Sequence, residues 1–282
     1  MFPVDKMCKV LSVSSSSYYR WLRDPLGKVA RRNQQGMQKI RELFYTLKQR
    51  YGSVRLTAEL QTSGMAMSRP RVAYLMRKMY LQARRRRRFK ATTDSKHGYR
   101  IVPNHLNRKF VVERKGQVWV SDITYIPTHT GWLYLTIILD LFDRKVIGWS
   151  VSRSLATNVT ILPAWYMATS NRPISRALIF HSDRGVQYAC DEFAGLLDRH
   201  PLVIRSMSRK GNCWDNAVAE SFFKSIKAEE IYEAAYTNDK QAEMAIFEYI
   251  EGFYNRNRRH SALNYMTIAE FEECQRKLNY AA

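Results

Sequence analysis

Three acids stand apart from the other carboxylates of the chain by where they fall. Asp122 interrupts the alternating apolar stretch VWVSDITYIP, and Asp183 ends the apolar run ALIFHSD just before Arg184-Gly185. Glu220 opens a helical stretch, with Lys224 and Lys227 following one and two turns behind it on the same stripe. A carboxylate in a buried strand carries a desolvation cost unless positive charge sits beside it. A divalent cation supplies that charge, and carboxylate oxygens suit Mg²⁺ or Mn²⁺. Taken singly, each acid also reads as a turn residue, a cap or an ion-pair partner, and Glu220–Lys224 as an i,i+4 pair worth a few tenths of a kcal/mol. Taken together, three carboxylates and two lysines able to hold phosphate suit phosphodiester chemistry. In such chemistry two metal ions about 4 Å apart activate the attacking oxygen and stabilise the leaving one.

Those side chains need a scaffold, and from residue 116 onward the pattern supplies one. GQVWVSDITYIP alternates, WLYLTIILDLF is a continuous apolar strand, and Asp143 turns the chain into a third strand, KVIGWSVS at 145–152. Residues 157–170 read as a helix that Pro163 kinks or delays. Two further strands, 177–183 and 202–207, flank the helix CDEFAGLLDRH; the Glu220 helix and a long helix at 240–255 follow, then a basic exit, RNRRHSALN. Three consecutive strands followed by alternating helices and strands imply an α/β domain with a mixed five-stranded sheet and helices on its faces. Asp140 reads as a structural acid at a strand end, with a supporting role at the site left open. Asp215 or Asn216 reads as the N-cap of the Glu220 helix. His181 either orients a ligand or is a hydrogen-bonded core residue. The loop ahead of Glu220 is basic and small, and its Arg209, Lys210, Asn212 and Trp214 are expected to contact DNA.

The first part of the chain differs in kind. The formal charge is +21, and residues 1–115 hold 28 Lys and Arg against 6 Asp and Glu, whereas the remainder is close to neutral. Such an imbalance points to a polyanionic partner, with nucleic acid first. Residues 4–22 form two apolar-periodic halves around a Ser-rich corner, the pattern of a helix-turn-helix. A helix is expected over 34–51, and 54–81 repeats the helix-corner-helix pattern: Gly64 breaks the first helix, Ser68 caps the second and Pro70 sits in its first turn. Arg69 and Arg71 then stand at the exposed start of a helix placed to meet DNA. Arg84, Arg85, Arg86, Arg87, Arg88 and Lys90 follow as a run that neutralises phosphates without reading bases. The expected domains are therefore a helix-turn-helix at 1–33, a second with its basic run at 34–90, a linker at 91–115 and a catalytic core at 116–282. Cys8, Cys190, Cys213 and Cys274 lack the spacing of a zinc module and read as reduced thiols. No stretch is long and apolar enough to read as a membrane span.

The segments QVWVSDITYIPT, HSDRGVQY, SMSRKGNCWDNAVAESFFKSIK and YNRNRRHSALNYMT, in that order, resemble the DDE transposases of bacterial insertion sequences. The likeness is greatest to the second-frame (OrfB) protein of the insertion sequence three family, and it extends upstream through YGSVRLTAEL and VAYLMRKMYL. The resemblance implies a ribonuclease-H-like, integrase-like core whose triad falls on Asp122, Asp183 and Glu220, with the family's basic residue at Lys227. It implies two Mg²⁺ ions, with Mn²⁺ substituting, held with Asp122 bridging, Asp183 on one and Glu220 on the other. The implied activity is cleavage at the element's 3′ ends followed by strand transfer. The implied partners are double-stranded DNA at the terminal inverted repeats and the target, further copies of the chain, and an upstream-frame protein or a fusion with it. A bacterial cytoplasmic, nucleoid-associated location goes with these. Between Asp183 and Glu220 lie 36 residues, one more than is usual in the family, and the addition falls near HPLVIRS. Ile268 also stands where the family has proline. Two other functions share this layout: a catalytically inactive DNA-binding regulator of transposition, and a nuclease on the same fold.

Overall fold

The computed structural model describes residues 3–84 and 97–281. The chain divides into two compact units, Met1–Arg84 and Arg85–Ala282. Among the described residues no helix is long and apolar enough to cross a membrane.

The first unit is all helical: α1 Val4–Val10, α2 Ser15–Arg23, α3 Gly27–Thr46, α4 Ser53–Thr62 and α5 Arg69–Lys78. Ser14 caps α2 by accepting from the Ser17 N–H, as a Ser-rich corner should. The apolar face expected on the first hairpin stays at the surface, however. Cys8 is the buried residue of α1 and α2 has none, while Val10, Leu11, Trp21 and Leu22 are exposed. The unit's core forms instead from α3, α4 and α5, through Ile40, Phe44, Leu56, Leu60, Val72 and Leu75. At Gly36 a Cβ would fall 2.8 Å from the Met67 side chain, so α3 needs glycine for that close approach. α3 stops at Thr46, five residues short of the expected end, because Lys48 and Gln49 take left-handed backbone (φ 50° and 59°). α4 ends as expected at Gly64, whose φ of +80° suits glycine.

The second unit is built on strands β1 Val118–Thr128, β2 Gly131–Asp140, β3 Val146–Ser152, β4 Leu178–Ser182 and β5 Val203–Met207. They form one mixed sheet in the order β3-β2-β1-β4-β5, antiparallel on the first side of β1 and parallel on the second. The helices are α6 Ile161–Asn171, α7 Val186–Ala189, α8 Asp191–Asp198, α9 Ala217–Ile226, α10 Asp239–Phe247 and α11 Ile268–Ala281. Pro163 sits in the first turn of α6, where its missing N–H costs nothing, so the late start is the outcome rather than a kink. α6 packs so closely on β3 that a Cβ at Gly148 would lie 2.1 Å from the Ala164 carbonyl. Under it, Trp119, Trp165, Phe180 and Phe193 stack edge to face. β4 and β5 pair without a break from Leu178↔Val203 to Ser182↔Met207, so the strand that precedes the Glu220 helix keeps a regular register.

Two stretches differ from expectation. The described part of the expected linker, 97–115, lies on the core: Leu106 is buried, and the His105 and Leu106 N–H groups both donate to Ser206 Oγ. The expected basic exit is turned inward. Arg258 forks onto Glu229 through Nε and Nη2 at 2.8 and 2.7 Å, and Arg259 pairs with Glu270. In both cases the polar partner lies far away in sequence, so local polarity read as exposure.

Candidate active site

The sheet register brings the first two acids together. β1 and β4 run parallel with Val120 opposite His181; two residues on, Asp122 stands within β1 and Asp183 just past the end of β4. This is the carboxyl end of β4, the edge at which open α/β sheets bind ligands. α9 packs against β1 and carries Glu220 to the same place. All three acids are partly buried.

Their electrostatics show the proximity. Burial pushes the Asp122 carboxyl well above the usual carboxylate range, and the charges of Asp183 and Glu220 push the same way. The Ile123 N–H and Lys227 oppose them. Lys227 is buried at 6% exposure, and that burial lowers its ammonium to about 8 against the pull of Asp122. Lys224 behaves otherwise. It is exposed and pairs with Glu220 at 3.1 Å, as the i,i+4 spacing anticipates. The two lysines differ in burial although both follow Glu220 on α9; Lys227 stands where α9 gives way to a π-helical turn, Lys227–Ile231.

Among the described residues no three acids or imidazoles already stand in a metal-ligating group. Each carboxylate is held by a local donor instead. Asp122 Oδ1 accepts from the Ile123 N–H at 2.8 Å, Asp183 Oδ1 from the Gly185 N–H at 2.9 Å, and Glu220 from Lys224. A Cβ at residue 185 would lie 3.0 Å from Asp183 Oδ1, so glycine there keeps the carboxylate uncrowded. The donor set fits a hard divalent cation: it is all oxygen, it is concentrated negative charge, and its most buried carboxyl is destabilised as an anion by its neighbours.

Several supporting residues escaped the sequence pattern. Asn216 starts α9 without capping it; its Nδ2 donates to the Ser121 carbonyl beside Asp122, at 3.0 Å. Asp215 does not cap the helix either, because its carboxylate is taken up by Asn104, Arg108 and Arg209. Tyr188 hydrogen-bonds Ser121 at 2.9 Å, and burial and the nearby aspartates raise its phenol. His181 proves to be the core alternative. It is fully buried between Ser206 and Ser208, and burial lowers its imidazole to about 4. Ser208 in turn donates to the Ser182 carbonyl, next to Asp183. The loop between β5 and α9 is thus tied beside one aspartate at its start and beside the other at its end.

Of the residues expected to meet DNA, Arg209 and Lys210 lie exposed or half-exposed on that loop and Trp214 is 69% exposed. Asn212 accepts from Arg108. In the helical unit Arg69 is exposed and Arg71 partly so at the start of α5, and the Arg84 N–H donates to the Gln49 carbonyl. Arg85, Arg86, Arg87, Arg88 and Lys90 lie outside the described residues. Asp140 and Asp143 are fully buried and share Arg172, which places them in a separate structural cluster.

Comparison with known proteins adds the following. Residues 112–213 match an integrase core domain model, residues 203–267 a second integrase core domain model, and residues 31–89 an HTH-like domain. The chain is 37% identical to the insertion element IS600 uncharacterized 31 kDa protein of Shigella sonnei, over 95% of this chain and 97% of that one. It is also 37% identical to transposase InsF for insertion sequence IS3A of Escherichia coli, over 96% of this chain and 94% of that one. The HTLV-2 integrase catalytic core domain, solved with magnesium as a dimer, overlaps at a TM-score of 0.40 and 16% identity, over 56% of this chain and 96% of that one.

Proposed function

Because the chain belongs to the transposases of the insertion sequence three family, DDE polynucleotidyl transferases with an integrase core and an HTH-like domain, we propose that Asp122, Asp183 and Glu220 are its catalytic carboxylates. What supports this reading is that Asp122 within β1 stands near Asp183, just past the end of β4, and near Glu220 on α9, with a lysine beside them and excess negative charge. Asp122, Asp183 and Glu220 would together hold the divalent ions, two in number on this reading. Bound there, Mg²⁺, or Mn²⁺ in its place, supplies activation of water or a 3′-OH and neutralises charge on the departing oxygen. Lys227 holds a non-bridging phosphate oxygen over the carboxylates. Lys224, Arg209, Lys210, Asn212 and Trp214 track the strand. Gly185 and the Asn216 tether keep Asp183 and Asp122 in place for successive steps, cleavage at the 3′ end and then joining.

The substrate is double-stranded DNA. Arg69 and Arg71 meet it at the start of α5, and the basic run through Arg84, Arg85, Arg86, Arg87, Arg88 and Lys90 neutralises its phosphates. The working unit is an oligomer on the paired element ends, with an upstream-frame protein or a fusion completing end recognition, and it acts in the cytoplasm where the nucleoid lies.

The test is joining. Purified protein, Mg²⁺ and duplexes bearing the element's terminal repeats should yield strand-transfer product, lost in Asp122→Asn. Binding without metal-dependent cleavage would make the chain a regulator, and hydrolysis of arbitrary DNA without joining would make it a nuclease.

A further inference from the structure

Asp215 is fully buried, and its carboxylate is shared by two guanidiniums. Oδ1 accepts from Arg108 Nε at 2.8 Å and Arg209 Nη2 at 2.7 Å. Oδ2 accepts from Asn104 Nδ2 and from the Arg209 N–H and Nε, each at 2.9 Å. Two guanidiniums therefore share one negative charge, and one positive charge is left over. Both arginine side chains remain about half exposed, at 44% and 50%. Arg108 spends Nε on Asp215 and Nη2 on Asn212, and Arg209 spends Nε and Nη2 on Asp215, so among the described residues each keeps its Nη1 group uncommitted.

The backbone is bent to make this arrangement. Asn107 and Arg108 both take left-handed conformations, φ 43° and 61°, and the Asn107 N–H is held by the Asn104 side chain. The surroundings add charge of the same sign: Lys210 follows Arg209, and Arg184, the neighbour of Asp183, donates Nε to the Ser208 carbonyl. The loop bearing Arg209 is anchored beside Asp183 through Ser208 and beside Asp122 through Asn216.

We propose that Arg108 and Arg209, clasped on Asp215, form a pre-oriented fork that grips a phosphate of the DNA backbone at the rim of the carboxylate site. The inference rests on the DNA-acting reading above and adds Arg108, from a segment whose sequence suggested only a linker. A guanidinium whose rotamer is already fixed loses little entropy on meeting phosphate, and its planar donors match two phosphate oxygens. Asp215 can neutralise only one of the two guanidiniums, so the other's charge is available to an anion.

The experiment measures affinity of the full chain for a duplex in EDTA, which removes catalysis, across about 50 to 200 mM salt. Removing one cation that neutralises a phosphate flattens the slope of log affinity against log salt by about 0.9. Arg108→Gln and Arg209→Gln should each flatten it by about that amount, while Arg108→Lys keeps most of the slope. Asp215→Asn, which retains both cations, should lower the melting temperature without flattening the slope. Parental slopes in both glutamine variants overturn the fork, even if the parent protein joins DNA ends normally. A parent with no salt-dependent DNA affinity instead contradicts the DNA-acting reading itself, and the fork with it.

Discussion

Asp122 and Asp140 lie three residues apart in register on one pair of strands, for Asp140 pairs with Trp119 across β1 and β2. By strand alternation they occupy opposite faces of the sheet. On one face Asp140 and Asp143 are fully buried, and Arg172 bonds both at 2.6 and 2.8 Å. Glu272 joins them with Lys115 and Lys145, so three acids meet three bases. The Asp140 carboxylate also receives the Gly116 and Phe142 N–H groups and the Trp119 indole. On the other face Lys227 and the Ile123 N–H oppose the raised Asp122 carboxyl, the Gly185 N–H holds Asp183, and exposed Lys224 pairs with Glu220. Burial raises both Asp143 and Asp122 and a neighbouring carboxylate adds to each, but Arg172 is the chief opposing influence on the first, whereas the second is opposed by the Ile123 N–H and Lys227. Similar acids on one sheet therefore differ in their surroundings, and the closed cluster is the one in which a single guanidinium bonds two buried carboxylates.

The largest effect that separates the two faces is on catalysis. Glu220→Gln should reduce strand joining on the order of 10³-fold or more, the several kcal/mol that metal-assisted stabilisation supplies. Folding should be intact by circular dichroism. Next, Arg172→Met should lower stability by roughly 3–5 kcal/mol in denaturant unfolding, because it strands two buried carboxylates. An Arg172→Met protein as stable as its parent would remove the contrast.

A third prediction concerns pH and the strand end behind Asp183. His181 has its imidazole lowered to about 4 in the folded chain, against about 6.5 unfolded. The unfolded chain then binds more protons between those values, so stability is fully present above about pH 6.5 and falls as pH drops toward 4. The contribution is at most roughly 3 kcal/mol, and His181→Gln should flatten that limb of the stability curve. The smallest effect belongs to Lys224→Ala, at roughly 0.5 kcal/mol or less, since its ion pair with Glu220 is exposed.

Much of this was legible in the sequence because it is local. Apolar alternation located the strands, Pro163 delayed α6, Gly64 ended α4, and the three acids stood out as charges in or beside apolar runs. What could not be read there depends on distant partners. Asp215 looks like a helix cap until Arg108, more than a hundred positions away, claims it. Residues 97–115 look like a linker because the hydroxyl of Ser206 that holds them belongs to another strand. Arg258 looks like an exit charge until Glu229 buries it. The π-helical turn at Lys227–Ile231 has no mark in the sequence, whose pattern continues a plain α-helix there.

The central claim is that the open face binds a divalent cation which the closed face cannot. Titration of Mn²⁺ into the apo-protein, followed by the loss of its free paramagnetic signal, tests this directly. Saturable binding in the parent and in Asp143→Asn, abolished in Asp122→Asn and weakened in Glu220→Gln, is the predicted result. Binding that persists undiminished in Asp122→Asn would contradict it.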